Sequence, residues 1–504
     1  MKSVSKNMTM SIIARLISLV AGLVVQRYLL LSFGSTLNGL TTSINQAMAY
    51  LVLLEAGLGT ASVQALYDPL ASNDWKKVSG ILTATGREYK KISALFLALL
   101  IGVSVVIPLA VSGEVEFATA GLLTLITGGS YIVSYIMGGK YKALLDADRK
   151  IYILYILDSI SVMTSCIFRV IALKAGQSIV LVQLINLACI LIKNIGYVIY
   201  VKIKYRKVNY NQTPDIKAIG KRWNVLIHSL AGIVVNNTDV IILTLFGSLK
   251  TVSVYGVYNM VFGQLSSIVQ TTFMQAPQSS FGQLYHKDRR AFKHAFELYE
   301  FIVSFILFVI CTIAIILILP FVGLYTNGVQ DIVYIDMFLP VLFTLILLMN
   351  QIRIPSLITI NVAGAFKETQ GGAIIEAIIN ISVSLLLFFF TGLGLYGLLI
   401  GTICSYLFRT VDVFLYAHRK LVDSSVSIAF RNFVVNLLTM VVLYCSFVLI
   451  APVHTESMVG WIVKAIGISF VTVFVFGAVN YLFNRKKIIE IYSFIVLKFR
   501  HSEK

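Results

Sequence analysis

Long apolar runs alternate with short polar, mostly basic segments along almost the whole chain. A helix needs about 20 apolar residues to cross the hydrocarbon core of a bilayer. Fourteen runs of that order occur, at roughly 8–33, 38–67, 90–112, 117–139, 151–173, 178–201, 223–246, 252–277, 296–322, 332–357, 372–392, 395–417, 431–451 and 459–483. Inside a run the apolar residues are continuous, as from Phe305 to Pro320, whereas a spanning β-strand alternates apolar and polar over about ten positions. The pattern predicts an all-α integral membrane protein of about 14 transmembrane helices. No small-residue cleavage site follows the first run, so it is read as a retained helix and not as a signal peptide.

Composition excludes the soluble alternative. Of 504 residues, 58% are hydrophobic and 13% charged, against about 45–50% and about 25% in soluble domains. In water such a surface would aggregate; in lipid it carries no penalty. The five cysteines, Cys166, Cys189, Cys311, Cys404 and Cys445, all lie within predicted spans without paired spacing, and are read as small buried residues.

The net charge of +18 suggests nucleic acid until its distribution is followed. Most Lys and Arg fall in the tails and in alternate loops: Lys76 and Lys77, Lys140 and Lys142, Lys202 to Arg222, Lys287 to Lys293, Arg419 and Lys420, and Arg485 to Lys487. The intervening loops carry Glu114, Glu116, Asp331 and Glu456, with only Arg169, Lys174 and Lys250 near helix ends. This positive-inside pattern places both termini in the cytoplasm, and no nucleic-acid partner is expected. Attraction of the basic loops to anionic lipid headgroups is expected to follow.

A weak internal repeat at an offset of about 215 residues pairs Phe33-Gly34-Ser35 with Phe246-Gly247-Ser248, and the start of span 5 with that of span 11. Both units start on the same side, as parallel repeats do, and transport sites tend to lie between such repeats near mid-bilayer. The expected organisation is a six-helix lobe at 1–210, a second at 211–422, and two extra helices with a basic tail at 423–504.

Ionisable residues inside a bilayer cost about 2.5–3.5 kcal/mol each on the insertion scale, so each one needs a reason. Arg15, Ser18, Gly22 and Gln26 share a face of span 1, with Arg27 off that face. Asn38, Thr42 and Asn45 form a stripe in span 2; Asn259, Ser266 and Gln270 form one in span 8. In span 7, His228, Gly232 and Asp239 share a face with Asn236 beside them. The functional reading is a hydrated cavity whose arginines meet an anion, because guanidinium donates two parallel hydrogen bonds to phosphate. Candidate substrate contacts are Arg15, Gln26, Arg27, Asn45, Asn236, Gln270, Arg353 and Arg409; candidate ion-coupling groups are Glu55, Asp239 and Glu376. The structural alternative is internal pairing, as for Arg409 and Asp412 three residues apart. Arg169, Lys174 and Lys464 are expected to snorkel at helix ends, and Lys193 to reach the cytoplasmic interface beside Asn194. There is no phosphate-loop motif, no metal-ligand spacing among the six histidines and no large external loop for a catalytic site. Neither enzymatic activity nor a cofactor is expected.

Arg15 in the first span, Leu54-Glu55-Ala56-Gly57-Leu58-Gly59-Thr60-Ala61 late in span 2, Asn236-Asn237-Thr238-Asp239-Val240-Ile241 in span 7 and Pro277 before a basic loop carry a family likeness. In layout the whole chain resembles the Wzx-like polysaccharide-flippase branch of the multidrug/oligosaccharidyl-lipid/polysaccharide exporter superfamily. That resemblance implies two six-helix lobes with alternating access. It also implies transfer of undecaprenyl-pyrophosphate-linked oligosaccharides across a bacterial inner membrane during cell-surface polysaccharide synthesis. Polymerases and glycosyltransferases of the same pathway are the partners it implies. A lipid II flippase and a cation-coupled drug or metabolite exporter are the alternatives within the superfamily.

Overall fold

A computed structural model describes residues 2–502 apart from Ala56, 220–236, Ala276, 451–452 and His454. The described residues are helical with no strand. The helices are α1 (Lys2–Val52), α2 (Leu58–Ala71), α3 (Trp75–Ala110), α4 (Phe117–Val133), α5 (Gly139–Ala147), α6 (Ile151–Lys174), α7 (Ile179–Lys204) and α8 (Asn237–Phe246). They continue as α9 (Leu249–Val269), α10 (Gln278–Lys287), α11 (Arg289–Tyr325), α12 (Leu339–Ile352), α13 (Ile354–Ala363), α14 (Phe366–Phe390), α15 (Leu395–Tyr416), α16 (Val426–Leu449) and α17 (Met458–Ser502).

Among the described residues eleven helical stretches are long and apolar enough to cross a membrane. Three features account for the difference from the fourteen runs of the sequence. Thr9–Ala71 counts as one stretch but holds two spans, divided at Gly34, whose φ of 75° is closed to most side chains. The seventh run lies largely outside the described residues, leaving α8. The eighth is α9, 21 residues long but with Asn259, Gln264, Ser266 and Ser267 among them, and it is not one of the eleven.

The chain divides into two compact units. Unit 1 is Met1–Val254 with Gly328–Ile332, and unit 2 is Tyr255–Asn327 with Val333–Lys504. Unit 1 has one continuous core that includes Leu40, Ile44, Phe96 and Tyr197. Its membrane helices are held by polar groups at close approach, since lipid offers no hydrophobic drive between helices. Ser161 Oγ donates to the Cys189 carbonyl at 3.1 Å, and Ser165 Oγ to Asn186 Oδ1 at 3.0 Å, joining α6 to α7. In unit 2, α11 is the central helix, with 67% of its most apolar stretch buried. Asn436 Nδ2 donates to Ser304 Oγ at 3.3 Å and its Oδ1 accepts from Asn480 Nδ2 at 2.8 Å, tying α11, α16 and α17 together. Asn380 Nδ2 donates to Thr402 Oγ1 at 3.0 Å between α14 and α15. Phe470, Phe474 and Leu482 of α17 are exposed, as a lipid-facing helix requires.

Candidate functional site

Unit 1 holds a cavity of about 410 Å3 between α1, α6 and α7, within the usual range of small-molecule sites. Before Gly34, α1 contributes Ser18, Gly22 and Gln26; after it, Asn38, Thr42 and Asn45. Helix α6 adds Ser161, Ser165 and Arg169, and α7 adds Asn186 and Lys193. Each helix turns its polar stripe inward because a hydroxyl or amide facing lipid would go unsatisfied. Several of these groups are already engaged: Thr42 Oγ1 donates to the Asn38 carbonyl at 3.0 Å, and Asn38 Nδ2 to Ser253 Oγ at 2.6 Å.

Two cations line the cavity and differ in partnership. Lys193 pairs with Asp158 at 2.9 Å, and Asp158 also accepts from Tyr197 Oη at 3.0 Å. Arg169 is half-buried and has no carboxylate partner among the described residues; its buried Nε makes no hydrogen bond. The groups within its electrostatic reach are the thiols of Cys166 and Cys189. A guanidinium whose fork is unused in a polar, low-dielectric pocket is arranged to receive an anion.

Beyond Gly34, α1 is fastened to α8 and the start of α9. Ser43 and Thr244 hydroxyls meet at 2.6 Å, Tyr50 and Thr238 hydroxyls at 3.2 Å, and Gln46 Nε2 donates to Asn237 Oδ1. At the end of this seam, Asp331 accepts from the Ser35 N–H at 2.8 Å and from Ser35 Oγ at 2.6 Å. Glu114 accepts from the Leu249 N–H at 3.0 Å. Partial burial raises the Asp331 pKa, but the two Ser35 hydrogen bonds and the charge of Lys250 outweigh it and hold the carboxyl below its ordinary value.

Unit 2 carries a separate buried charge cluster. Arg353 Nη1 donates to Glu376 Oε1 at 2.6 Å and its Nη2 to Asn350 Oδ1 at 2.8 Å, with the guanidinium 4.9 Å from the Tyr406 ring centre. Arg409 lies 3.7 Å from Glu376 Oε2, pairs with Asp412 at 2.6 Å and donates to the Thr369 carbonyl at 3.0 Å. Two guanidinium groups therefore meet two carboxylates. Gly372 of α14 lets its helix close onto the Arg409–Asp412 pair; a Cβ there would overlap both side chains.

The residues singled out from the sequence thus go to different places. Gln26 and Asn45 line the cavity of unit 1. Arg15, one turn before Ser18, is exposed, and Arg27 is half-buried; neither borders the cavity. Arg353, Arg409 and Glu376 are brought together in unit 2. Gln270 is exposed at the start of a π-helical turn, Gln270–Gln275. Asp239 is buried on α8, within electrostatic reach of Tyr50. Asn236, His228 and Gly232 lie outside the described residues. Glu55 accepts from Tyr89 Oη at 2.8 Å. The sequence reading sent Arg169 and Lys193 to the membrane interface, whereas both border the cavity. The signal for them was the spacing of Ser161, Ser165 and Arg169 at four residues, and of Asn186 and Lys193 at seven, each one helix face.

No family model and no curated protein matches the sequence. Solved structures do match. A lipid II flippase MurJ in an inward closed conformation superposes with a TM-score of 0.64 at 17% identity, covering 94% of this chain and 98% of that one. The fold is that of the MOP-superfamily transporters. An inward-facing multidrug resistance MATE family transporter of that superfamily superposes with a TM-score of 0.63 at 12% identity, over 83% of this chain and 99% of its own. A MOP-superfamily transporter from Pyrococcus furiosus gives 0.56 at 12% identity, over 83% of this chain and 95% of its own.

Proposed function

We propose that this chain is a MOP-type flippase. In this reading it moves an undecaprenyl-pyrophosphate-linked oligosaccharide from the inner to the outer leaflet of a bacterial inner membrane, for synthesis of a cell-surface polysaccharide. The observation that carries the reading is Arg169, a cation with no carboxylate partner among the described residues, in a cavity whose other polar groups are hydroxyls, amides and the Asp158-paired Lys193. Guanidinium binds the pyrophosphate, the neutral polar wall suits a sugar, and the polyprenyl tail stays in lipid. Arg15 and Arg27 of α1 are further proposed anion contacts near this wall. The basic ends of the helices face the cytoplasm in this reading. A membrane potential negative inside then drives the anion outward, by about 2.3 kcal/mol per charge per 100 mV. Alternating access requires the seam of α1 with α8 and α9 to part in the other state.

The test is flipping of a labelled undecaprenyl-pyrophosphate oligosaccharide in proteoliposomes by wild type, Arg169→Ala and Arg15→Ala. Flipping that Arg169→Ala abolishes supports the reading. Flipping of lipid II alone would move the chain to the peptidoglycan branch. Uptake of organic cations with no lipid flipping would replace the proposal with a drug or metabolite exporter.

A further inference from the structure

Helices α6 and α7 face each other through a ladder of polar pairs. Asp158 of α6 pairs with Lys193 of α7 at 2.9 Å. A turn further along α6, Ser161 Oγ donates to the Cys189 carbonyl at 3.1 Å, and a turn beyond that Ser165 Oγ donates to Asn186 Oδ1 at 3.0 Å. Each turn forward on α6 is matched by a turn backward on α7, so the helices run antiparallel in a fixed register. The next turn brings Arg169 level with Val182, a buried residue without a polar side chain. The ladder therefore ends on a guanidinium whose rung on α7 is apolar, and its buried Nε makes no hydrogen bond.

The two cations of the cavity wall thus stand at opposite ends of one ladder. Three turns of α6 separate their levels, about 16 Å along the helix axis. A single diphosphate group is too short to touch both. The groups between them, Ser161, Ser165 and Asn186, line the same cavity and carry no charge. Lys193 lies toward Lys202 and Lys204 in the last turn of α7, and Arg169 toward the other ends of the two helices.

The two cations also differ in what an anion must displace. At Lys193 it replaces Asp158, which keeps the Tyr197 hydroxyl at 3.0 Å when the ammonium turns away. At Arg169 there is no carboxylate among the described residues to replace, so the anion meets a cation already desolvated and unmatched. The rotation of α7 that points Lys193 at α6 is fixed from behind. Asn194 is fully buried, and its Nδ2 lies 3.5 Å from Ser134 Oγ in the π-helical turn Ser134–Gly138. Lys142 of α5, beyond that turn, has its Nζ 5.8 Å from the centre of the Tyr197 ring.

We propose that the α6–α7 wall is a two-station anion path, with a weak station at Lys193 entered from the basic ends of the helices and a strong one at Arg169 where the anion comes to rest. The proposal rests on the anion reading given above and adds to it the order and the separation of the stations. A path of this kind needs each station to bind well enough to be entered and weakly enough to be left. Asp158 meets the second need at Lys193, because it takes the ammonium back when the anion moves on.

The experiment uses the full chain in nanodiscs, with inorganic pyrophosphate as the probe. Binding is measured alongside amine-reactive labelling of Lys193, read by mass spectrometry, in wild type, Arg169→Ala, Asp158→Asn and the double variant. In wild type, pyrophosphate that half-saturates binding should leave Lys193 labelling unchanged, because the anion rests at Arg169. In Arg169→Ala the affinity should fall roughly 10- to 100-fold, and the binding that remains should protect Lys193. Asp158→Asn frees the ammonium, so Lys193 should label several-fold faster than in wild type. In the double variant this freed station should bind several-fold tighter than in Arg169→Ala alone. Protection of Lys193 in step with binding in wild type overturns the two stations and leaves the anion reading standing; this comparison needs no variant to fold. Residual binding to Arg169→Ala that leaves Lys193 unprotected overturns the two stations as well. Pyrophosphate bound by none of the chains overturns both the proposal and the anion reading.

Discussion

Unit 1 and unit 2 each bury cations in the membrane and use them in opposite ways. In unit 2 every guanidinium of the cluster is matched: Arg353 and Arg409 share Glu376, and Arg409 also has Asp412. In unit 1 Arg169 has no acid among the described residues, and Lys193 shares Asp158 with a tyrosine hydroxyl. A matched cluster has spent its Coulomb energy internally and offset its desolvation. An unmatched cation keeps that energy for a ligand. The residue type alone therefore says little about function; the count of acids around it decides.

The largest effect that would break this comparison is predicted in unit 2. Glu376→Ala leaves the buried Arg353 guanidinium without a carboxylate and takes one of the two acids beside Arg409, and should cost about 3–5 kcal/mol, as breaking a buried pair usually does. Thermal unfolding in detergent would show it, and an unchanged Tm would mean that the cluster is not what holds α12, α14 and α15 in place. Arg169→Ala should do the reverse. Its Tm should be unchanged or raised, while anion affinity falls roughly 10- to 100-fold, as expected for charge-assisted hydrogen bonds. If Arg169→Ala unfolds as Glu376→Ala does, the contrast between the units disappears.

Gly372→Ala sharpens the comparison with a smaller effect. Overpacking typically costs about 1–3 kcal/mol, and here the added methyl forces the Arg409–Asp412 pair apart. The readout is Tm, with flipping reduced no more than the folded fraction is. Ser35→Ala should have the smallest effect, below about 1 kcal/mol, because Asp331 is exposed. Its pH dependence is the informative part. The Asp331 pKa is held down in the folded state, so its contribution is present above the unfolded value of about 3.9 and is lost as pH falls through the lowered folded value. The Tm gap between wild type and Ser35→Ala should therefore close under strong acid.

Much of the architecture was legible in the chain because lipid enforces it: a run of apolar residues has to become a helix, and its polar stripe has to turn inward. Helix spacing accordingly put Gln26 and Asn45 on polar faces, and both line the cavity of unit 1. Arg409 and Asp412, three residues apart, were readable as a pair. The Arg353–Glu376 pair was not, because its partners lie on different helices and nothing local relates them. Arg169 and Lys193 were misjudged for a different reason. Position near the end of an apolar run suggested an interface, but the face on which they lie, shared with Ser161, Ser165 and Asn186, was the better guide.

The π-helical turn Ser134–Gly138 carries one more residue than an α-turn would need. Everything after it is rotated by about 100° relative to an unbroken helix. The phase of α5, and with it the side on which Lys142 emerges, is set by that extra residue. A one-residue deletion within the turn would leave composition, charge and hydropathy almost untouched, yet would swing Lys142 away from the Tyr197 ring it now approaches. The facing of α5 is thus encoded as a count of residues, which a substitution scan of the same segment would not detect.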